Sequence, residues 1–168
     1  MDYFDPVTEK DTRSKFQQYK HNFIICPEQW ETLAGLYEDF DWKEIKFITD
    51  NQPILPEIEG LYMFMASPKK ANTSFLNYLF YVGETDNLRR RFGDYLKKID
   101  NPKSGQYKVY TIINDFTEHL YFRYIELNGY NQVQRRILED QFLISFLPPK
   151  NSKFPQQLQS IILGVYGQ

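Results

Sequence analysis

The sequence predicts a mixed α/β (α+β) fold, a small, mainly antiparallel, three-stranded central sheet flanked by helices. Three observations carry that expectation. Gly60-Leu61-Tyr62-Met63-Phe64-Met65-Ala66 and Asn77-Tyr78-Leu79-Phe80-Tyr81-Val82-Gly83 are runs apolar on both faces, as strands covered on each side are. The polar segment between them, Ser67 to Thr73, is short and contains Pro68, which favours antiparallel pairing. Around the two runs lie segments whose apolar residues recur at helical intervals. A chain of 168 residues suits one domain with modest extensions and buries a core without staples.

Each element follows from its own signals. The first ~15 residues read as frayed or loosely docked. Pro27 can open a helix, and Trp30, Leu33, Ala34 and Tyr37 lie at i, i+3, i+4 and i+7, although Gly35 weakens the pattern. Lys43 to Ile48 reads as a short strand, and Pro53 and Pro56 punctuate a loop. After the two apolar runs, Thr85 or Asp86 can cap a helix in which Leu88, Phe92, Tyr95, Leu96 and Ile99 form one stripe, and Pro102 ends it. Tyr107 to Phe116 fits a strand or a short helix. His119 to Leu127 alternates as the third strand. Asn131 to Leu147 reads as a long helix, apolar nearly all round and so largely buried, stopped by Pro148-Pro149. Leu158, Ile161 and Ile162 mark a last helix. The domain boundaries expected are an acidic N-terminal extension over 1–55, a core domain over 56–152 and a tail over 153–168.

Composition narrows the function classes. The single cysteine, Cys26, excludes an internal disulfide and a multi-cysteine zinc site. With only His21 and His119, a hydrolase built on several histidines is excluded in practice, and neither histidine nor Cys26 attracts a catalytic role. The acidic, proline-broken start is no signal peptide, and no apolar run approaches the ~20 residues that span a bilayer, so the expected location is a reducing cytoplasm.

The net charge is −2, but it is unevenly spread. Residues 1–59 carry 6 Lys/Arg against 13 Asp/Glu, a balance of −7, and residues 60–168 carry 14 against 9, a balance of +5. From Asn87 to Lys108 the chain holds Arg89, Arg90, Arg91, Lys97, Lys98, Lys103 and Lys108 against Asp94 and Asp100. Such a strip is either a solvated helix face or a footprint for phosphates.

Gly60-Leu61-Tyr62 and Tyr81-Val82-Gly83 are followed directly by Glu84-Thr85-Asp86 and then Asn87-Leu88-Arg89-Arg90-Arg91. Glu139 lies within the later helix, and Asn151 follows Pro148-Pro149-Lys150. In this order and on these elements the chain, over about residues 56–152, resembles the GIY-YIG endonuclease family. It departs from the family in the longer gap between the tyrosine motifs, Ser67 to Phe75, and mildly at Tyr95, where many members carry histidine and others tyrosine.

The resemblance implies a divalent-metal-dependent endonuclease that hydrolyses DNA phosphodiester bonds, of the compact, standalone restriction, defence or mobile-element kind. Mg²⁺ (or Mn²⁺) is the implied cofactor, and duplex DNA rather than single strand the implied partner. Such hydrolysis needs in-line attack by water, a base and relief of charge on the nonbridging oxygens. Mg²⁺ supplies charge relief, takes oxygen ligands and keeps most of its waters, so one carboxylate suffices to hold it.

The catalytic set implied is Tyr62, Tyr81, Arg91, Glu139 and Asn151, with Glu139 as the metal ligand. Each has a plainer alternative. Glu139 faces apolar Phe142 and Leu143, where a carboxylate is costly unless paired, but Arg135 at i−4 can also pair with it. With Leu88 at zero and about 100° per residue, Arg91 falls near about −60°, at the edge of the apolar stripe, where its fork can be aimed at a phosphate or bonded to Glu84 or Asp94. Arg90 falls near about 200°, toward solvent. Tyr62 and Tyr81 are either core residues with satisfied hydroxyls or phenols facing the scissile phosphate. One of them would position or deprotonate the water, and the family picture slightly favours Tyr62. Gly60 and Gly83 permit close approach. Asn151 orders the site or is a turn residue. Arg89, Arg90, Lys97, Lys98, Lys69 and Lys70 are candidate DNA contacts. The alternative function is a catalytically inactive module on the same scaffold that binds nucleic acid or protein. The acidic N-terminal region can mimic nucleic acid, cover the basic site or mediate a homodimer.

Overall fold

The computed structural model describes residues 12–14, 16–17, 19–33, 40–69, 76–99 and 107–166. The expectations for residues 1–11, for the helix beyond Leu33, for Lys70 to Phe75 and for 101–106 lie outside those residues, as does the side chain of Lys98.

Four strands form one antiparallel sheet, β1 (Lys43–Lys46), β2 (Gly60–Ala66), β3 (Tyr78–Thr85) and β4 (Leu120–Glu126), in the order β1-β4-β2-β3. The three-stranded sheet expected from the sequence has a fourth strand, because the short strand expected from Lys43 pairs with β4, from Lys43↔Tyr124 to Lys46↔Tyr121. Its four residues contain a single apolar side chain, Ile45, so the pairing rests on main-chain bonds and on ion pairs from Lys43 to Glu126 and Lys46 to Glu118. That strand lies upstream of residue 56, yet it is part of the same sheet.

All seven residues of β2 are buried, as its two-sided apolar pattern requires for a strand hydrogen-bonded on both edges and covered on both faces. One face carries Tyr62, Phe64, Phe80, Phe122 and Tyr124 and packs on the helices α2 (Leu88–Ile99) and α3 (Tyr107–Asp115). The other carries Leu61, Met63, Met65, Val82 and Ile125 and packs on α4 (Gln132–Phe146) and α5 (Gln156–Tyr166). The ambiguous segment after Tyr107 is therefore a helix, with Val109, Tyr110, Ile112 and Ile113 forming its buried side. Upstream, α1 (Pro27–Trp30) is a short helix continued by a 3-10 turn over Glu31–Leu33, and Thr49–Ile54 is a 3-10 helix.

Two details differ from expectation. The cap of α2 is Asn87, whose Oδ1 accepts the Arg90 N–H at 2.8 Å, while Thr85 Oγ1 accepts the Asn87 N–H at 3.1 Å one step earlier. Helix α4 is not apolar all round in its setting: Val133 is 66% and Ile137 55% exposed, because only the Leu138, Phe142 and Leu143 side meets the sheet. Its C-cap Leu147 is left-handed, with φ 46° and its N–H on the Leu143 carbonyl, and the chain beyond Pro148-Pro149 returns to β3, where the Lys150 N–H meets the Phe80 carbonyl. Among the described residues, no helix is long and apolar enough to cross a membrane.

Candidate active site

Strand β3 is an edge of the sheet, so helices on its two faces can meet beyond it. Helix α2 brings Arg91 from one side and α4 brings Glu139 from the other, with Tyr81 of β3 between them. These three residues line one cleft of about 630 Å³ together with Asn151, and Tyr62 joins Tyr81, Arg91 and Glu139 around an adjoining recess of about 400 Å³. The five residues singled out as catalytic from the sequence are thus brought together around β3.

The phenols are placed by strand register. Tyr62 stands opposite Gly83, and Phe64 opposite Tyr81. A Cβ on Gly83 would sit 2.5 Å from Tyr62 Oη, so the glycine leaves the ground over which that ring lies. Gly60 serves packing instead, since a Cβ there would meet the Ile125 carbonyl at 2.4 Å. Tyr62 is fully buried. Its Oη accepts a hydrogen bond from Arg91 Nε at 2.9 Å and is 3.0 Å from Tyr95 Oη. The Arg91 guanidinium also lies 5.3 Å from the centre of the Tyr95 ring, within cation–π range. Tyr95, one turn after Arg91 on α2, is thus a third phenol of the site. Its place in the apolar stripe of α2 and its i+4 spacing from Arg91 were the signals for it.

The three phenols differ in access. Tyr62 and Tyr95 are buried, while Tyr81 is half-buried and lines the cleft. Burial pushes all three hydroxyls above the ordinary tyrosine range. For Tyr81 that effect is opposed by hydrogen bonding with the Tyr95 and Tyr62 hydroxyls and by the charge of Arg91, and reinforced by Glu139.

Glu139 is half-buried, and burial, followed by the like charges of Glu84 and Asp140, pushes its carboxyl up to about 7. The helical ion pair with Arg135 does not form. Arg135 Nε donates to Glu84 Oε2 at 2.9 Å and its Nη1 to the Tyr130 carbonyl at 2.7 Å. Arg91 is bonded to Tyr62, and among the described residues it forms no ion pair with Glu84 or Asp94. Among the described residues no three His, Cys, Asp or Glu side chains gather as a metal cage. The donor set instead fits a hard cation held through one carboxylate, because a cation would remove the cost of ionising Glu139 beside Glu84.

Asn151 is buried and commits its amide to one residue. Oδ1 accepts the Val82 N–H at 3.0 Å and Nδ2 donates to the Val82 carbonyl at 2.8 Å. It fixes the residue between Tyr81 and Gly83 and is not itself aimed at the cleft centre.

The candidate DNA contacts are dispersed. Arg89 turns inward, bonding the Leu55 carbonyl at 2.7 Å, the Pro53 carbonyl at 3.1 Å and Glu57 at 2.5 Å, and so ties α2 to the 3-10 segment. Arg90 is exposed and paired with Asp86. Lys97 is exposed on α2. Lys69 pairs with Glu44 and covers the Tyr121 ring at 4.1 Å, beyond the Ala66 end of β2. The basic groups that do line the cleft are Arg91, Lys108, Arg136, Lys150 and Lys153. Of the last four, the sequence pattern marks only Lys108. Lys150 and Lys153 flank Asn151, and Arg136 precedes Glu139 by three, which are the signals that could have found them.

No protein-family model matches the sequence, and no curated protein does. The chain is similar to solved structures of the GIY-YIG N-terminal endonuclease domain of UvrC from Thermotoga maritima. One, a tyrosine-to-phenylalanine point mutant bound to the catalytic divalent cation, is 22% identical over 62% of this chain and 93% of its own, with a TM-score of 0.42. Another, an asparagine-to-alanine mutant bound to its catalytic divalent cation, is 22% identical over the same shares, with a TM-score of 0.41.

Proposed function

We propose that the chain is a divalent-cation-dependent endonuclease that hydrolyses DNA phosphodiester bonds, with residues 56–152 carrying the chemistry in the cytoplasm. The observation that supports this reading is the convergence of a guanidinium, a half-buried phenol and a carboxylate held near neutrality on one basic cleft. Arg91, gripped at Nε by Tyr62, presents its remaining nitrogens to a nonbridging oxygen and offsets the charge that develops there. Tyr81 holds the attacking water. It would accept the water's proton only as the phenolate, a form that burial and Glu139 oppose and that the Tyr95 and Tyr62 hydroxyls, Arg91 and a bound cation would favour. Tyr62 and Tyr95 act as positioning residues from behind, and Asn151 positions Tyr81 through Val82. Glu139 would hold Mg²⁺ or Mn²⁺, which supplies Lewis-acid relief of phosphate charge when bound.

Purified protein with Mg²⁺ or Mn²⁺ is expected to nick or cleave plasmid DNA and to be inert with chelator. Glu139→Ala and Arg91→Ala are each expected to lower cleavage by at least about a hundredfold with unchanged circular dichroism. Full activity in both variants would remove the site assignment, and intact DNA under every cation would remove the hydrolase.

A further inference from the structure

The cleft does not end at the reacting centre. It continues to the start of α3 and to the turn after α4, where Lys108, Lys150 and Lys153 form its wall. We propose that this wall is a second anion subsite, taking a backbone phosphate that flanks the scissile one, so that the bound strand runs from Tyr81 toward α3 and not along the outer face of α2. This rests on the endonuclease reading and adds the path of the substrate to it.

Three observations carry it. The first is pairing. Among the described residues, none of these three lysines forms an ion pair, whereas Lys43, Lys46, Lys69, Arg89, Arg90 and Arg135 each have a carboxylate partner. The second is fixation. The Lys150 N–H donates to the Phe80 carbonyl at 3.0 Å, its Nζ is 3.2 Å from Thr111 Oγ1, and Asn151 clamps Val82. Its ammonium is therefore referenced to the strand that carries Tyr81, on either side of that residue. A long lysine held in this way gives up rotamer freedom that a solvent-facing one keeps. The third is electrostatic. Lys150 is half-buried, and burial and Lys108 both weaken its hold on its proton, against which Asp115 acts only in part. A phosphate at this wall would reverse both penalties. The outer face of α2 offers less, because Arg89 is spent on the 3-10 segment and Arg90 on Asp86.

The test is binding of the full chain to a short labelled DNA duplex, in chelator so that no cleavage occurs, across a series of KCl concentrations. The Lys150→Gln/Lys153→Gln double variant is expected to lose about tenfold in affinity at low salt and about one unit of salt slope. Lys43→Gln, on β1 and paired with Glu126, is expected to change neither. With cation present, the double variant should raise KM with kcat kept within about threefold, the pattern of lost uniform binding. An unchanged salt slope in a folded double variant overturns the subsite. Should that variant fail to fold, Lys108→Gln gives the same reading from α3. Wild-type protein that binds with the expected slopes but never cleaves would overturn the hydrolase and keep the subsite. Cleavage with a slope indifferent to all three lysines would do the reverse, and absence of DNA binding would end both.

Discussion

A carboxyl held at about 7 makes stability and chemistry respond to pH in opposite senses. Unfolded, Glu139 ionises near 4.5, and folded it keeps its proton until about 7. Its contribution to stability is therefore complete below about 4.5 and is lost as pH rises through about 7, a change on the order of 3 kcal/mol. In the absence of divalent cation, Glu139→Gln is expected to melt several degrees higher than wild type at about pH 8 and close to it at about pH 4. Calorimetry in chelator checks this, and equal melting at the higher pH would show that Glu139 bears no such cost. Cleavage should rise with pH through about 7 at limiting cation, with the midpoint falling as cation is added, because cation and proton compete for one carboxylate. At this scale the sequence is partly informative. The apolar neighbours Phe142 and Leu143 mark Glu139 as unusual. That Arg135 is drawn away to Glu84 depends on strand β3, 51 residues distant, and no helical spacing reports it.

Between elements, the tyrosine pair depends on a glycine and an asparagine that touch no substrate in the proposed reaction. Gly83→Ala would drive a methyl against Tyr62, whose hydroxyl is tied to both Arg91 and Tyr95 and has little freedom to move. The expected cost is about 1–3 kcal/mol of stability, with cleavage falling further than stability alone explains. Denaturant titration and kcat measured on the folded fraction separate the two, and an unimpaired kcat would show that Tyr62 need not hold Arg91. Strands β2 and β3 are legible in the sequence as unbroken apolar runs, and β4 and helix α2 because each is long enough to show its period. The short strand expected at Lys43 to Ile48 is present as β1, but with one apolar residue in four nothing in it tells which strand it joins, and the cap at Asn87 is obscured by Thr85 and Asp86, which are also capping types. The inward turn of Arg89 is illegible for a similar reason. Helical geometry puts it at the stripe's edge, but only the fold puts the Leu55 and Pro53 carbonyls there.

Across the whole molecule, the N-terminal part is joined to the core through aromatic contacts. His21 packs edge-on to Phe80 with ring centres 4.9 Å apart and beside Phe116 at 5.6 Å, and Phe23 lies 5.4 Å from Phe80. Burial, then Lys150, lowers the His21 pKa below 6.5, while Asp115 opposes them. A base so depressed contributes stability above about 6.5 that is lost as pH falls through its lower folded value. His21→Gln should therefore flatten the acid side of the stability curve, read by urea titration at a series of pH values, and an identical acid limb in the variant would count against this contact. The basic strip from Asn87 to Lys108, by contrast, forecasts only two of the cleft's cations, Arg91 and Lys108, since Arg136, Lys150 and Lys153 lie well downstream of it in the chain.

The clamp on β3 has one more consequence. A sheet's outermost strand, if its amides and carbonyls are bare, is a template on which a neighbouring molecule can add a strand of its own. Here the outward groups of Val82 are occupied by the Asn151 amide, and the Phe80 carbonyl by the Lys150 N–H. The turn that lines the cleft thus also shields the protein from growing into intermolecular sheets. Asn151→Ala should populate higher oligomers in concentrated solution, visible by size-exclusion chromatography with light scattering, and a variant that stays at the wild-type mass would count against this shielding.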